Sequence, residues 1–169
     1  MSALRIAVLI AATLATGLSA GLFYSYACSV MPGLARADDR SFVEVMQRIN
    51  VAILNGWFML VFLGALLLIL LAGALQLGGG SRAVLLWTVA AAVCYLAMLA
   101  ITGAVNVPLN NRLAAAGSPD SGADLAAVRA AFEATWVRWN VVRALTSTAA
   151  FACLTGALVL AARTPAGAR

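Results

Sequence analysis

A chain of 169 residues that is 64% hydrophobic and only 10% charged is too apolar to be a soluble domain, where about a quarter of residues are charged. Its net charge of +5 comes from eleven basic residues, all arginine, and six acids. The arginines flank apolar stretches without forming a basic block, which argues against a nucleic-acid partner and for anchoring in a lipid bilayer.

Charge-free runs at 6–35, 49–81, 83–111 and 144–162 are each near or above the roughly 20 residues that cross a bilayer as a helix. The expected fold is all-α: a single membrane four-helix bundle over 1–169, with two helices extended beyond the bilayer on one side. The spans are expected at about 4–30, 50–76, 83–105 and 141–162, and the extramembrane segments at 31–49 and 106–140.

Arg5 and the apolar run to Leu18-Ser19-Ala20 mimic a cleaved signal peptide, but the run continues to Val30. That is too long for a signal core, so a retained first helix is expected. Thr13, Gly17, Gly21, Ser25 and Ser29 recur every fourth residue as a small-residue stripe suited to close helix packing. Pro32-Gly33 is expected to break this helix. Ser41 and Glu44 read as a capping box that opens a short amphipathic helix, expected to run without a break into span two. Gly78-Gly79-Gly80-Ser81 is a tight turn, and Pro108 is expected to stop the third helix. After a loop at 117–122, Ser121 and Asp124 make a second capping signature, from which the last helix is expected to run on into its span. Ala144, Thr148, Ala152 and Gly156 repeat the small stripe there. Cys28, Cys94 and Cys153 form no C-x-x-C pair and read as packing residues, with a Cys94–Cys153 disulfide left open.

Alternating spans bring the end of span one, the start of two, the end of three and the start of four to one side. Tyr26, Asn50, Asn55, Asn106, Asn110, Trp136, Trp139, Asn140 and Arg143 all fall there. A polar group in hydrocarbon is costly, about 2.5–3.5 kcal/mol for a mid-span arginine, so these side chains should turn inward. The two tryptophans also fit an interfacial belt, Arg143 an anchor, and the asparagines interhelical glue worth about 0.6 kcal/mol each. Asparagines at matching ends of three spans, with none at the opposite ends, favour a common pocket. With no histidine in the chain, histidine-ligated haem, facial-triad iron and histidine-based zinc drop out, as does the commonest general base, and no metal site is expected.

At Asn106-Val-Pro-Leu-Asn110-Asn111-Arg112-Leu and Trp136-Val-Arg-Trp139-Asn140-Val-Val-Arg143 the chain resembles a four-helix membrane family whose named members are the fungal anthrone oxygenases. Val30-Met-Pro-Gly-Leu34 and Phe42 to Asn50 look like its bacterial branch, which implies a bacterial cell membrane. The resemblance implies oxidation of an anthrone by O₂ without a cofactor, the partners being a hydrophobic aromatic molecule and oxygen. Arg143 would then meet the developing oxyanion, Asn140, Asn106 and Asn110 would donate hydrogen bonds, and Trp136 and Trp139 would stack on the ring, with Asn50, Asn55 and Tyr26 also binding substrate. Glu133 and Tyr26 are the candidate bases. The alternative is a non-catalytic membrane binding or accessory protein for a hydrophobic ligand or partner.

Overall fold

The computed structural model describes residues 2–78, 80–120 and 122–163, and every regular element among them is helical. The helices are α1 (Ala3–Leu34), α2 (Asp39–Ala52), α3 (Gly56–Leu77), α4 (Arg82–Ala115) and α5 (Leu125–Arg163). All but α2 are long and apolar enough to cross a membrane.

Along each of the four long helices runs one seam of buried positions that steps alternately by three and four. In α1 they are Leu9, Ala12, Thr16, Ser19 and Phe23; in α3, Phe62, Ala65, Ile69, Ala72 and Gln76. In α4 they are Val84, Thr88, Ala91, Tyr95 and Met98, and in α5 Asn140, Arg143, Ser147, Ala150, Leu154, Ala157 and Ala161. This seven-residue repeat keeps one seam of each helix facing its neighbours, the pattern of supercoiled bundles. α1 and α4 each pack against both α3 and α5, so the chain runs up and down around the bundle in sequence order. Leu14, Leu18, Leu60, Leu67, Leu86 and Leu145 turn outward, a surface suited to hydrocarbon and not to water.

The small-residue stripes do not follow these seams. A step of four residues advances about 40° beyond one helical turn, so a four-residue stripe winds off the buried face. Gly17 does admit the Phe151 ring and Gly156 the Trp87 ring, each within 3.2 Å of where a Cβ would sit, whereas Gly21, Thr148 and Ala152 are exposed.

Both proline stops are also corrected. A π-helical turn at Tyr26–Val30 precedes Pro32, and another at Thr102–Asn106 precedes Pro108; helix continues beyond each, to Leu34 and Ala115. The widened turn shifts the hydrogen-bond ladder ahead of the proline, so its missing N–H and its ring are accommodated. The single long helix expected from Ser41 through span two is broken instead at Ile53–Asn55. Asn55 is extended there; its Oδ1 accepts from Phe58 N–H at 3.0 Å and its Nδ2 donates to Ala52 O at 2.9 Å, so one side chain ends α2 and begins α3. α5 does run unbroken for 39 residues.

The two expected capping signatures resolve to aspartates. Asp38, not Ser41, caps α2, its carboxylate accepting from Ser41 N–H at 2.9 Å and Ser41 Oγ at 2.8 Å. Asp124 accepts from Ala127 N–H at 3.1 Å ahead of α5. Its expected companion Ser121 lies outside the described residues, as does Gly79 of the glycine turn. The three cysteines are free thiols.

α2 lies across one end of the bundle and buries Phe42, Val43 and Met46 in a second core with Met31, Leu109, Leu113, Phe132 and Trp136. Arg129 fastens that cap. Its guanidinium pairs with Glu133 at 2.6 Å and Asp39 at 3.0 Å, donates to the carbonyls of Ala35 and Ala37, and lies 4.5 Å from the centre of the Phe42 ring.

Because Arg129 holds four acceptors at low exposure, Arg129→Ala is expected to lower stability in detergent by about 2–3 kcal/mol. Arg40→Ala, which breaks an exposed pair with Asp120, should leave the melting temperature nearly unchanged in the same thermal unfolding assay. The Ser41 N–H and hydroxyl hold the Asp38 carboxyl below its usual range. Its capping contribution is therefore complete above the unfolded aspartate value, near 4, and is lost as pH falls through the lower folded value. Amide exchange of α2 should accelerate in that acid window, and Asp38→Asn should remove the dependence.

Candidate functional site

The polar residues converge at the end of the bundle where both π turns lie. The centre is Arg143, on the buried seam of α5 and only 6% exposed. Its Nη2 donates to Asn140 Oδ1 at 2.9 Å, and the Asn140 Nδ2 donates across the bundle to Phe23 O at 3.1 Å. Asn140 thus ties the guanidinium to α1 just before the π turn. The charge is sandwiched by rings, with Cζ 4.6 Å from the centre of Phe23 and 5.3 Å from that of Trp136. Such contacts offset part of the cost of desolvating a guanidinium. The Arg143 Nε is buried without a hydrogen-bond partner.

Trp136 is fixed by two asparagines of α4. Its Nε1 donates to Asn110 Oδ1 at 2.8 Å, and its carbonyl accepts from Asn106 Nδ2 at 3.3 Å. Tyr26, in the first π turn, sets its ring 5.7 Å from that of Trp136, and the Phe132 ring stacks on Trp136 at 5.9 Å. Asn106 closes the second π turn with no exposed surface, and its Oδ1 has no partner.

These groups border a cavity of about 400 Å³. Tyr26 and Phe23 line it from α1, Gln47 and Asn50 from α2, Phe58, Met59 and Phe62 from α3, Thr102, Asn110 and Asn111 from α4, and Trp136, Asn140 and Arg143 from α5. Val51, Ile53 and Leu54, at the break between α2 and α3, complete one side. The volume lies in the range of small-molecule sites, which are mostly apolar with a few directed polar groups. Phe23 and Phe62 meet edge to face at 6.3 Å, and Phe58 stacks on Phe62 at 4.9 Å. Behind Phe62, its carbonyl accepts from the buried Tyr95 hydroxyl at 2.8 Å, and that hydroxyl is 3.1 Å from Ser19 Oγ.

Of the expected site residues, Tyr26, Asn50, Asn110, Trp136, Asn140 and Arg143 line the cavity, and Asn106 supports it from behind Trp136. Asn55 does not reach the wall, because both ends of its amide cap helices. Trp139 is half-buried and also lies off the wall. Trp136 and Trp139 are three residues apart on one helix, but only the first continues the buried seam toward Asn140 and Arg143. Glu133 is paired with Arg129 and is not on this wall. The phenylalanines of the floor carry no sequence signal that separates them from lipid-facing residues. Tyr95 was missed too; a hydroxyl in an apolar run is the signal that would have pointed to the support behind Phe62.

No curated protein and no solved structure matches the chain. The family model for anthrone oxygenase matches residues 57–153, more than half of the sequence. The matched stretch includes α3 but for Gly56, α4 and most of α5, and therefore Asn106, Asn110, Trp136, Asn140 and Arg143, while Tyr26 and Asn50 lie outside it. The chain belongs to the anthrone oxygenase family.

Proposed function

We propose that this protein is an integral membrane oxygenase, in a bacterial cell membrane, that oxidises a lipophilic polycyclic phenol of the anthrone type with O₂. The observation that carries the reading is a buried guanidinium on the wall of an aromatic cavity of about 400 Å³. Family membership supports the reaction class.

In the proposed reaction the anthrone methylene loses a proton to give an enolate, whose oxygen faces Arg143. The enolate carbon delivers electrons to O₂ and forms a C–O bond, and protonation gives a hydroperoxide. Loss of the remaining hydrogen on that carbon, with cleavage of the O–O bond, releases water and leaves the second ketone. One O₂ is consumed per anthrone, and anthraquinone and water are the products. Oxidisable substrate and oxygen balance the electrons, so the protein needs to supply only orientation and charge stabilisation. Trp136 and Tyr26 would stack on the ring plane, and Asn50 would contact an oxygen on the α2 side. Asn140 and Asn106 serve as positioning residues in this scheme, since their Nδ2 groups are engaged by backbone carbonyls. Asn110 would offer its amide nitrogen, its Oδ1 being taken by Trp136.

A second reading, a non-catalytic binding protein for a hydrophobic ligand, draws support from a wall on which no carboxylate is found. Oxygen uptake separates the two. Purified protein in detergent, given an anthrone, should consume oxygen one-to-one with quinone formed and above the rate in protein-free micelles. Arg143→Gln should reduce that excess by about 10²–10³-fold, the range for removing one oxyanion-stabilising donor. Uptake equal to the protein-free rate, or unchanged by Arg143→Gln, would sink the oxygenase reading for this substrate class.

A further inference from the structure

The cavity is closed on one flank and open on the other. Phe23, Phe62, Trp136, Asn140 and Arg143 form a buried inner wall, whereas Val51, Leu54, Met59, Val107, Asn111 and Ala114 of the same lining are exposed. The exposed six lie on two lips. One is the α2–α3 break with the first turn of α3, and the other is the face of α4 on which Val107, Asn111 and Ala114 follow at helical spacing.

Hydrogen bonds tie the cleft between these lips at both ends. At the outer end the Gln47 Nε2 donates from α2 to Leu113 O at 2.8 Å and Gly117 O at 3.0 Å, beside the cap that Arg129 fastens. At the inner end the Tyr95 hydroxyl donates to Phe62 O and pins α4 to α3. Among the described residues no hydrogen bond joins the lips between those two points. Apart from Asn111 the lips are apolar: Val51 is 76% and Leu54 71% exposed, and Trp57, just beyond Leu54 on the same lip, is 83% exposed. In a bilayer a tryptophan at a helix start favours the interfacial layer, and Arg48 and Arg112, on the outer halves of α2 and α4, reach the headgroups. Leu54, Met59 and Val107 then border acyl chains and not water.

The geometry points to a lateral portal: the ligand enters the cavity from the lipid leaflet between Leu54 and Val107, and leaves the same way. This rests on the reading of the cavity as a site for an apolar small molecule, and it narrows the substrates to molecules dissolved in the bilayer. A conjugate that stays in water meets the α2 cap and the Gln47 clasp instead. A product as apolar as its substrate returns to the leaflet, so the reactions that supply the one and consume the other act on membrane-dissolved molecules.

The test is the exchange of 9,10-anthraquinone, which does not turn over, in phosphatidylcholine vesicles carrying the whole chain, followed by stopped-flow quenching of tryptophan fluorescence. The slope of the observed rate against the probe's mole fraction in the bilayer gives entry, and the intercept gives exit. Leu54→Phe combined with Val107→Phe narrows the lips and spares the buried wall. Entry and exit should both slow about tenfold, while their ratio, the dissociation constant, moves less than about threefold. Arg129→Ala, which loosens the cap, should leave both rates at their wild-type values. Unslowed exchange in the double variant, or faster exchange in Arg129→Ala, overturns the portal and leaves the cavity reading standing. A changed dissociation constant without a common slowing makes the lips binding residues and overturns it as well. No quenching in the wild type overturns both. Each single substitution, at an exposed position, repeats the test if the double variant does not fold.

Discussion

A guanidinium held in the interior of an apolar bundle, with no carboxylate beside it among the described residues, is the constraint around which this molecule is arranged. Burying such a charge costs several kcal/mol even after relaxation, and the structure offers partial compensation only: one amide oxygen and two aromatic faces. Asn140 is what makes the arrangement possible. It gives its oxygen to Arg143 and its nitrogen to Phe23 O, so the cation is aimed by a contact that also joins α5 to α1. Trp136, fixed at both its indole nitrogen and its carbonyl by asparagines of α4, holds the other face.

Conventional packing delivers these residues to one place. The three-and-four spacing that buries Leu154 and Ala157 in the apolar half of α5 buries Arg143 and Asn140 in the polar half. The same seam thus serves as core at one end and as site at the other. The two π turns do what a regular helix could not: they carry α1 and α4 past prolines and bring Tyr26 and Asn106 to the polar end. α2 then covers that end, held by Arg129, whose acids are consumed in doing so and are unavailable to the cavity. Arg129 and Arg143 are thereby separated, one with carboxylates and one without.

The sequence announced the number of long helices, their alternation and the convergence of Asn106, Asn110, Asn140 and Arg143, because charge-free length and polar residues in apolar runs are strong, local signals. It misled where a local rule met a tertiary remedy. Pro32 and Pro108 read as stops, since proline forbids an ordinary helical ladder, and nothing in the chain marks the widened turns that absorb them. Asn55 read as a site residue, although an asparagine followed by Gly56 before an apolar run is also a helix cap. Trp139 and Trp136 could be told apart only by the register of the buried seam. Phe23, Phe58 and Phe62 were illegible as a cavity floor, because a ring facing a ligand and a ring facing lipid look alike in a chain this apolar.

The most direct test of the central claim is the thermal stability of Arg143→Met in detergent, measured beside anthrone-dependent oxygen uptake on the same sample. If the cation is retained for a ligand and not for the fold, the melting temperature should be unchanged or higher, as expected when an uncompensated buried charge is replaced by an apolar side chain, while the uptake above the protein-free rate is lost. A lower melting temperature with that uptake retained would contradict the account and make Arg143 a structural residue.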